Sequence, residues 1–102
     1  MIGVIVTFAF DGDFDRDRVT GVAEGARAMF EGMPDLRFKF FTFDENQQRA
    51  TNFYFWDSRA SAEAFFSEEL RERVTQAYGV PPTIDFVEIA AVVDNSGFVA
   101  AG

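Results

Sequence analysis

The spacing of apolar and polar residues changes along the chain, and each change predicts a new element. Residues 2–10 are rich in β-branched and aromatic side chains and run into Asp11-Gly12, which predicts a strand that ends in a turn. Residues 15–32 have helical spacing, with apolar positions at Val19, Val22, Ala23, Ala26, Met29 and Phe30. Gly32 and Pro34 are typical of the end of such a helix.

The second half of the pattern predicts a hairpin, a helix and a last strand. Residues 36–43 and 50–56 are apolar, aromatic runs separated by a polar turn at 44–48. Ser58 can cap a second helix that continues to Gly79, and Pro81 and Pro82 prevent its extension. Residues 84–93 predict a fourth strand, and residues 94–102 a C-terminal tail.

The resulting order, βαββαβ, predicts the α+β class and the ferredoxin-like arrangement. In this arrangement a four-stranded antiparallel sheet carries both helices on one face. The strands are apolar throughout rather than alternating, so both faces of the sheet are predicted to be buried. A partner subunit or an aromatic ligand has to cover the second face. The sequence therefore favours a homodimer in which two sheets pack together, a dimeric α/β barrel.

Composition restricts the class of protein further. A chain of 102 residues without cysteine predicts a single domain over residues 1–102 that needs no disulfide or cysteine metal site. The formal net charge of −8 disfavours nucleic acid and anionic membrane surfaces as partners. The N-terminal residues lack a basic signal-peptide region, and no apolar run is long enough for a membrane span. We expect a cytoplasmic protein.

The residue types that are missing exclude several kinds of chemistry. Without histidine there is no Ser-His-Asp triad, no proximal haem histidine and no histidine zinc site. Glycine-rich phosphate loops are also missing, and we interpret Gly21 and Gly25 as sites of close helix packing. The sequence predicts no cofactor.

An acidic run at the start of the first helix has the spacing of a calcium loop but not its other ligands. Asp11, Asp13 and Asp15 occupy alternate positions, yet Arg16 stands where the loop requires glycine and Val22 where it requires glutamate. A solvated turn with helix capping is the better interpretation, and no metal site is predicted.

Several short motifs point to one family. They are Phe8-Ala9-Phe10-Asp11-Gly12 followed by Phe14, then Pro34, Lys39 and Thr42, then Ala50, Tyr54 and Ala64. At this spacing they resemble the YdhR-like mono-oxygenases of the dimeric α/β-barrel superfamily. The chain departs from that family at Thr51-Asn52, where paired glycines often open the third strand. The resemblance implies cofactor-independent mono-oxygenation by a homodimer.

Two predicted strands carry the candidate site. Because side chains alternate between the faces of a strand, every second residue shares a face. One face of the second strand carries Arg37, Lys39 and Phe41, and one face of the third carries Asn52, Tyr54 and Trp56. If the hairpin register brings these faces together, they form a slot for a planar ring. The sequence leaves that register open.

The slot contains groups that can stabilise a phenolate. Lys39, Asn52 and Tyr54 are the predicted catalytic residues, because a cation with one or two donors stabilises a developing anion. The predicted substrate-binding residues are a cation, two aromatic rings and an acid, namely Arg37, Phe41, Trp56 and Glu88. The alternative is structural: the cations pair with acids such as Glu88 at the sheet edge, and the aromatic rings form the dimer core.

The function predicted from these residues and the resemblance is mono-oxygenation of a small aromatic or polyketide-like phenol or hydroquinone by molecular oxygen. An ionised phenol reduces oxygen directly, so no cofactor is required. Two alternatives use the same pocket. One is a non-catalytic binder of an apolar ligand, such as a stress-related barrel protein, and the other is a cofactor-free cyclase or isomerase.

Overall fold

The computed structural model describes residues 1–95 and has one four-stranded antiparallel sheet. The strand order is β2-β3-β1-β4, which is the ferredoxin-like order. The elements, in chain order, are β1 (Ile2–Ala9), α1 (Arg16–Phe30), β2 (Leu36–Asp44), β3 (Arg49–Trp56), α2 (Arg59–Phe65), α3 (Glu68–Tyr78) and β4 (Pro82–Glu88). The predicted α+β, ferredoxin-like fold is therefore confirmed.

The single helix predicted between Ser58 and Gly79 is wrong, because the structure has two helices there. Ser58 caps α2 as predicted, through a hydrogen bond from the Ser61 backbone N–H to its hydroxyl oxygen at 3.2 Å. The chain leaves the helical conformation at Phe66, and the hydroxyl of Ser67 accepts from the Leu70 backbone N–H at 3.2 Å. Serine makes this local bond instead of continuing a helix, so Ser67 starts α3.

The fourth strand is earlier and shorter than predicted. It covers Pro82–Glu88 rather than residues 84–93. Its neighbour β1 begins at Ile2, directly opposite Glu88, so there is no β1 backbone left for Ile89 and later residues to pair with. Of the predicted tail, residues 96–102 lie outside the described residues.

The core lies between the helices and one face of the sheet, which we call the covered face. The alternate β1 residues Ile2, Val4, Val6 and Phe8 are at most 4% exposed. Their register partners on β3 are Trp56, Tyr54, Asn52 and Ala50, which are also buried. The helices contribute Val19, Ala62 and Tyr78 to the same cluster.

The opposite face, which we call the open face, is largely apolar, and its β4 strand also places the exposed carboxylate of Asp85 there, opposite Ile5. By the strand register it carries Ile5, Phe38, Phe40, Phe53, Phe55 and Val87. Phe40 is 45% exposed and Val87 39% exposed, although both lie inside strands. A surface of this kind is typical of an interaction site.

The first helix confirms one interpretation and corrects another. Asp15 caps α1, because its carboxylate accepts from the backbone N–H groups of Asp17 and Arg18 at 3.0 and 3.2 Å. The interpretation of Gly21 and Gly25 as close-packing sites is wrong: a Cβ at either position would meet no described atom within 4 Å. Both glycines face open space.

Within residues 1–95, every helix falls short of the length and apolar character that crossing a membrane requires.

Candidate active site

The hairpin register brings the candidate faces of β2 and β3 together. Lys39 lies opposite Tyr54, and Phe41 lies opposite Asn52. Residues directly opposite each other in an antiparallel pair point to the same face. Since Tyr54 and Asn52 belong to the covered face, these four side chains all lie under the helices.

Arg37 is separated from this group by a β-bulge. The register shifts between Leu36 and Phe38, so Arg37 is an extra residue without a partner position on β3. Strict alternation, which placed Arg37 beside Lys39, therefore fails at this position. The exposed Arg37 guanidinium instead binds the Asp57 carboxylate, with Nη1 to Oδ1 at 3.1 Å. Arg37 and Lys39 still line a common groove of about 380 Å³ at the end of α1.

The amine of Lys39 is enclosed by aromatic rings. Its Nζ donates a hydrogen bond to the Tyr54 hydroxyl oxygen at 2.8 Å. The same nitrogen lies 3.4 Å from the ring centroid of Phe30, 4.0 Å from that of Phe41 and 4.3 Å from that of Tyr54. Phe30 is the last residue of α1, so this helix provides the lid over the β2 lysine. We call these three rings the aromatic cage.

Burial controls the charge of this pair. It lowers the pKa of Lys39 to about 6. The aromatic faces favour the ammonium and offset part of that effect, but desolvation is the larger influence. Lys39 is thus mainly a neutral amine at pH 7, whereas the sequence-based prediction treated it as a cation. The pKa of Tyr54 is raised, first by burial and second by the nearby Tyr78, so its hydroxyl keeps its proton.

Asn52 is held by a second tyrosine. It is 4% exposed, and its Nδ2 donates to the Tyr78 hydroxyl oxygen at 3.3 Å. Tyr78 in turn stacks on Phe8 with ring centroids 3.8 Å apart. Burial raises the pKa of Tyr78, and the bond from Asn52 opposes the shift. Asn52 therefore has one donor hydrogen engaged and a second available.

An apolar cavity of about 220 Å³ joins these groups. Its walls include Phe30, Lys39, Phe41, Asn52, Tyr54 and Tyr78, and α3 closes it with Leu70 and Val74. Cavities of about 150 Å³ hold a benzene ring, so this one has room for a single substituted ring. A second space of about 260 Å³ beside α1 shares Lys39, Phe41, Asn52 and Tyr78 with it.

Two predicted binding residues lie away from this cavity. Trp56 is 2% exposed and packs on Phe65 at 5.1 Å between ring centroids, so it belongs to the core and does not line the cavity. Its buried Nε1 has no hydrogen-bond acceptor among the described residues. Glu88 is exposed at the last position of β4. Direct ligand contacts by Trp56 and Glu88 stay predictions.

Sequence reasoning missed two residues of the site, Phe30 and Tyr78. Phe30 was predicted as one of several apolar positions on a helix, and nothing in the spacing showed that it would cover Lys39. Tyr78 had a clearer signal, because a tyrosine just before the helix-ending Gly79 places a hydroxyl at the end of an apolar face.

In residues 1–95, no group of three or more histidine, cysteine, aspartate or glutamate side chains is arranged to hold a metal ion.

Solved structures share this fold. A monooxygenase from the gene ActVA-Orf6 of Streptomyces coelicolor, in complex with nanaomycin D, has a TM-score of 0.66 and 20% identity, covering 92% of each chain. A variant of SnoaB, a cofactor-independent oxygenase from Streptomyces nogalater, has a TM-score of 0.66 and 10% identity, covering 92% of this chain and 97% of that one. NE2512, a protein of unknown function from Nitrosomonas europaea, has a TM-score of 0.72 and 14% identity, covering 94% and 95%.

These similarities show that the chain has the fold of antibiotic biosynthesis monooxygenases. No protein-family profile matches the chain, and no curated protein matches it in sequence. Membership of the YdhR-like family stays a prediction.

Proposed function

We propose that the protein is a cofactor-independent mono-oxygenase that oxidises a small phenol or hydroquinone in the cavity beside Lys39. The observation that carries this proposal is the buried amine of Lys39, hydrogen-bonded to Tyr54 inside an apolar cavity of single-ring size. The fold shared with two oxygenases supports the reaction class. Both Lys39 and Tyr54 are also among the residues that carry the YdhR-like resemblance.

The first step is transfer of the phenol proton to the Lys39 amine. A phenol has an ordinary pKa of about 10, so transfer to an amine with a pKa of about 6 costs roughly 5–6 kcal/mol before the ions interact. An ammonium and a phenolate about 4 Å apart attract each other by about 4 kcal/mol at an effective dielectric constant near 20. A hydrogen bond from Asn52 to the anion adds about 1.5–3 kcal/mol. These contributions offset the transfer cost, while burial in the apolar cavity, which raises the pKa of the neighbouring Tyr54, opposes ionisation of the phenol as well.

The second step is oxidation of the phenolate by molecular oxygen. One phenol and one O₂ give one quinone and one water, and one hydroquinone and one O₂ give one hydroxyquinone and one water. In both cases a ring carbon gains one oxygen atom and the substrate supplies all the electrons. The proton held by the Lys39 ammonium is released to the reduced oxygen. In this proposal Lys39 ionises the ring, and the walls of the cavity bind it and exclude bulk water.

We also propose that the active form is a homodimer joined through the open face. This face presents the rings of Phe40, Phe53 and Phe55 and the side chains of Ile5 and Val87. Apolar faces of this kind are stabilised by a partner rather than by water. The helices cover the site from the other side of the sheet, so dimerisation leaves the cavity intact.

Oxygen uptake with a panel of hydroquinones and naphthols tests the proposal. We expect uptake without added cofactor, with one ¹⁸O atom from ¹⁸O₂ in the quinone. Lys39→Met should reduce turnover ten- to a thousand-fold, the range for losing one electrostatic stabiliser. Arg59→Gln, an exposed change on α2, is the matched control and should keep full activity.

The same assay separates the alternatives. If substrate is converted in the absence of oxygen, the protein is a cyclase or isomerase and the oxygenase proposal is wrong. Ligand binding without any conversion across the panel would replace it by a non-catalytic binder.

A further inference from the structure

Lys39 is the only lysine in the sequence. All the other basic side chains among the nine lysine and arginine residues are arginines. Lysine is ordinarily a solvent-exposed, strongly hydrated cation, and here that surface role belongs entirely to arginine. The chain thus places its single primary-amine side chain away from bulk water, within the aromatic cage on the covered face.

Lys39 borders the cavity. It is only partly buried as a residue, and it lines the cavity of about 220 Å³ as well as both neighbouring spaces. The rings of Phe30, Phe41 and Tyr54 hold Nζ at the cavity wall. An aromatic ring bound in the cavity would therefore lie beside Lys39.

We propose that Lys39 is a nucleophilic site that captures small aromatic aldehydes and ketones as imines. The proposal does not depend on the oxygenase activity. The lone pair of Nζ attacks the carbonyl carbon, a C–N bond forms as the C=O π bond breaks, and one proton moves from nitrogen to oxygen to give a carbinolamine. Its hydroxyl then leaves with the second nitrogen proton as one water, and the imine remains. The condensation is redox-neutral and needs no further reactant.

Tyr54 is placed to carry the protons of this condensation. Its hydroxyl lies 2.8 Å from Nζ, within reach of both the nitrogen and a carbonyl oxygen bound to the same carbon. Because burial raises the pKa of Tyr54, its hydroxyl stays protonated and does not form a free tyrosinate. It therefore passes a proton to the departing hydroxyl as it takes one from nitrogen, in one coupled step.

The charge state of the amine supports the same chemistry. Burial lowers the pKa of Lys39 to about 6, so most molecules hold a free lone pair at pH 7. For an ordinary exposed lysine, roughly one amine in 2500 is neutral at that pH. Lower basicity also reduces intrinsic nucleophilicity, so the net advantage at pH 7 should be about tenfold.

Reductive trapping in an Arg16→Lys variant tests the proposal inside one molecule. Arg16 is an exposed residue at the start of α1, with 63% of its side chain accessible, so the introduced lysine serves as the reference amine. The protein is incubated with benzaldehyde and sodium cyanoborohydride between pH 5 and 9. Peptide mass mapping then measures benzylation at Lys39, at the introduced lysine and at the α-amino group separately.

We expect Lys39 to be benzylated at least about tenfold faster than the introduced lysine at pH 7. Its rate should reach a plateau above a midpoint near pH 6, and Tyr54→Phe should slow trapping at Lys39 without affecting the reference lysine. Labelling of Lys39 that is no faster than that of the introduced lysine, or that rises only toward pH 10, would overturn the proposal. Unchanged trapping in Tyr54→Phe would overturn the proton-transfer role.

Discussion

The Nζ atom of Lys39 lies 2.8 Å from the hydroxyl oxygen of Tyr54, because the two residues are directly opposite each other in the β2–β3 register. This relationship fixes the chemistry of the cavity. The hydroxyl provides a hydrogen-bond partner for a largely buried amine, and three ring faces lie around the nitrogen. A buried lysine held in this manner can gain and lose a proton near neutral pH.

The lowered pKa of Lys39 predicts that stability depends on pH. Its pKa is about 6 in the folded protein and about 10.4 in the unfolded chain, so the unfolded chain binds more protons between these values. The free energy of unfolding therefore rises with pH in this range, by up to about 1.4 kcal/mol per unit. Lys39→Met lacks this contribution. Urea unfolding of both proteins between pH 6.5 and 9 measures the difference.

The upper limit of pH 9 keeps the measurement below the pH at which tyrosine side chains lose their protons. The pKa values of Tyr54 and Tyr78 are raised on folding, so above about pH 10 the unfolded chain loses their protons first and stability falls. Equal slopes for the original protein and Lys39→Met would show that Lys39 stays charged when folded.

Asn52 should affect ligand binding through its second Nδ2 hydrogen, the one that is not donated to Tyr78. Tyr78→Phe and Asn52→Leu both remove their 3.3 Å bond, and each should lower the free energy of unfolding by about 1 kcal/mol. Only Asn52→Leu also removes the donor to a bound phenolate, so it alone should weaken naphthol binding, by about tenfold. Calorimetric titration measures the affinities. Equal losses of affinity in both variants would assign Asn52 a structural role.

The open face predicts a dimer that one charge can disrupt. Phe40 and Phe43 lie on the same strand with similar exposure, 45% and 40%, but the register puts Phe40 on the open face and Phe43 on the covered face opposite Ala50. Phe40→Glu would bury an unpaired carboxylate in the proposed interface, which costs several kcal/mol. Sedimentation at micromolar concentration should show a monomer for Phe40→Glu and a dimer for Phe43→Glu. A monomeric parent protein would contradict the sheet-on-sheet dimer.

Replacing Gly21 and Gly79 by alanine should change the free energy of unfolding in opposite directions. Gly21 lies inside α1 with no described atom within 4 Å of a new Cβ, so Gly21→Ala should raise the free energy of unfolding by about 0.5–1 kcal/mol. Gly79 ends α3 at φ +87°, and its Cβ would lie 3.1 Å from Arg18 Nη1. Gly79→Ala should therefore destabilise the protein by at least about 1 kcal/mol. Thermal unfolding that moved in the same direction for both would contradict this assignment.

The fold could be predicted from the sequence because the signals for helices, strands and turns agree with one another. Helical spacing over residues 15–32, an apolar hairpin and the proline pair after Gly79 all point to βαββαβ. The errors arose where one local bond or one neighbour decided the outcome. Ser67 starts a new helix by accepting from Leu70, and β4 ends at Glu88 because β1 starts at Ile2.

The site was predictable only in part for a similar reason. Alternation grouped Lys39 with Phe41 and Asn52 with Tyr54, but it could not provide the register that joins the pairs. It also failed at the bulge, which separates Arg37 from Lys39. Contacts from distant helices, such as Phe30 over Lys39 and Tyr78 beside Asn52, leave no periodic signal in the strands.

The most direct test is the ionisation of a phenol bound beside Lys39. A naphthol whose absorbance reports its ionisation is titrated with pH while bound to the original protein and to Lys39→Met. Since the ammonium attracts the anion by about 4 kcal/mol, the bound naphthol should ionise two to three pH units lower in the original protein than in the variant. The same apparent pKa for the naphthol in both proteins would contradict the claim that Lys39 is the proton acceptor of the site.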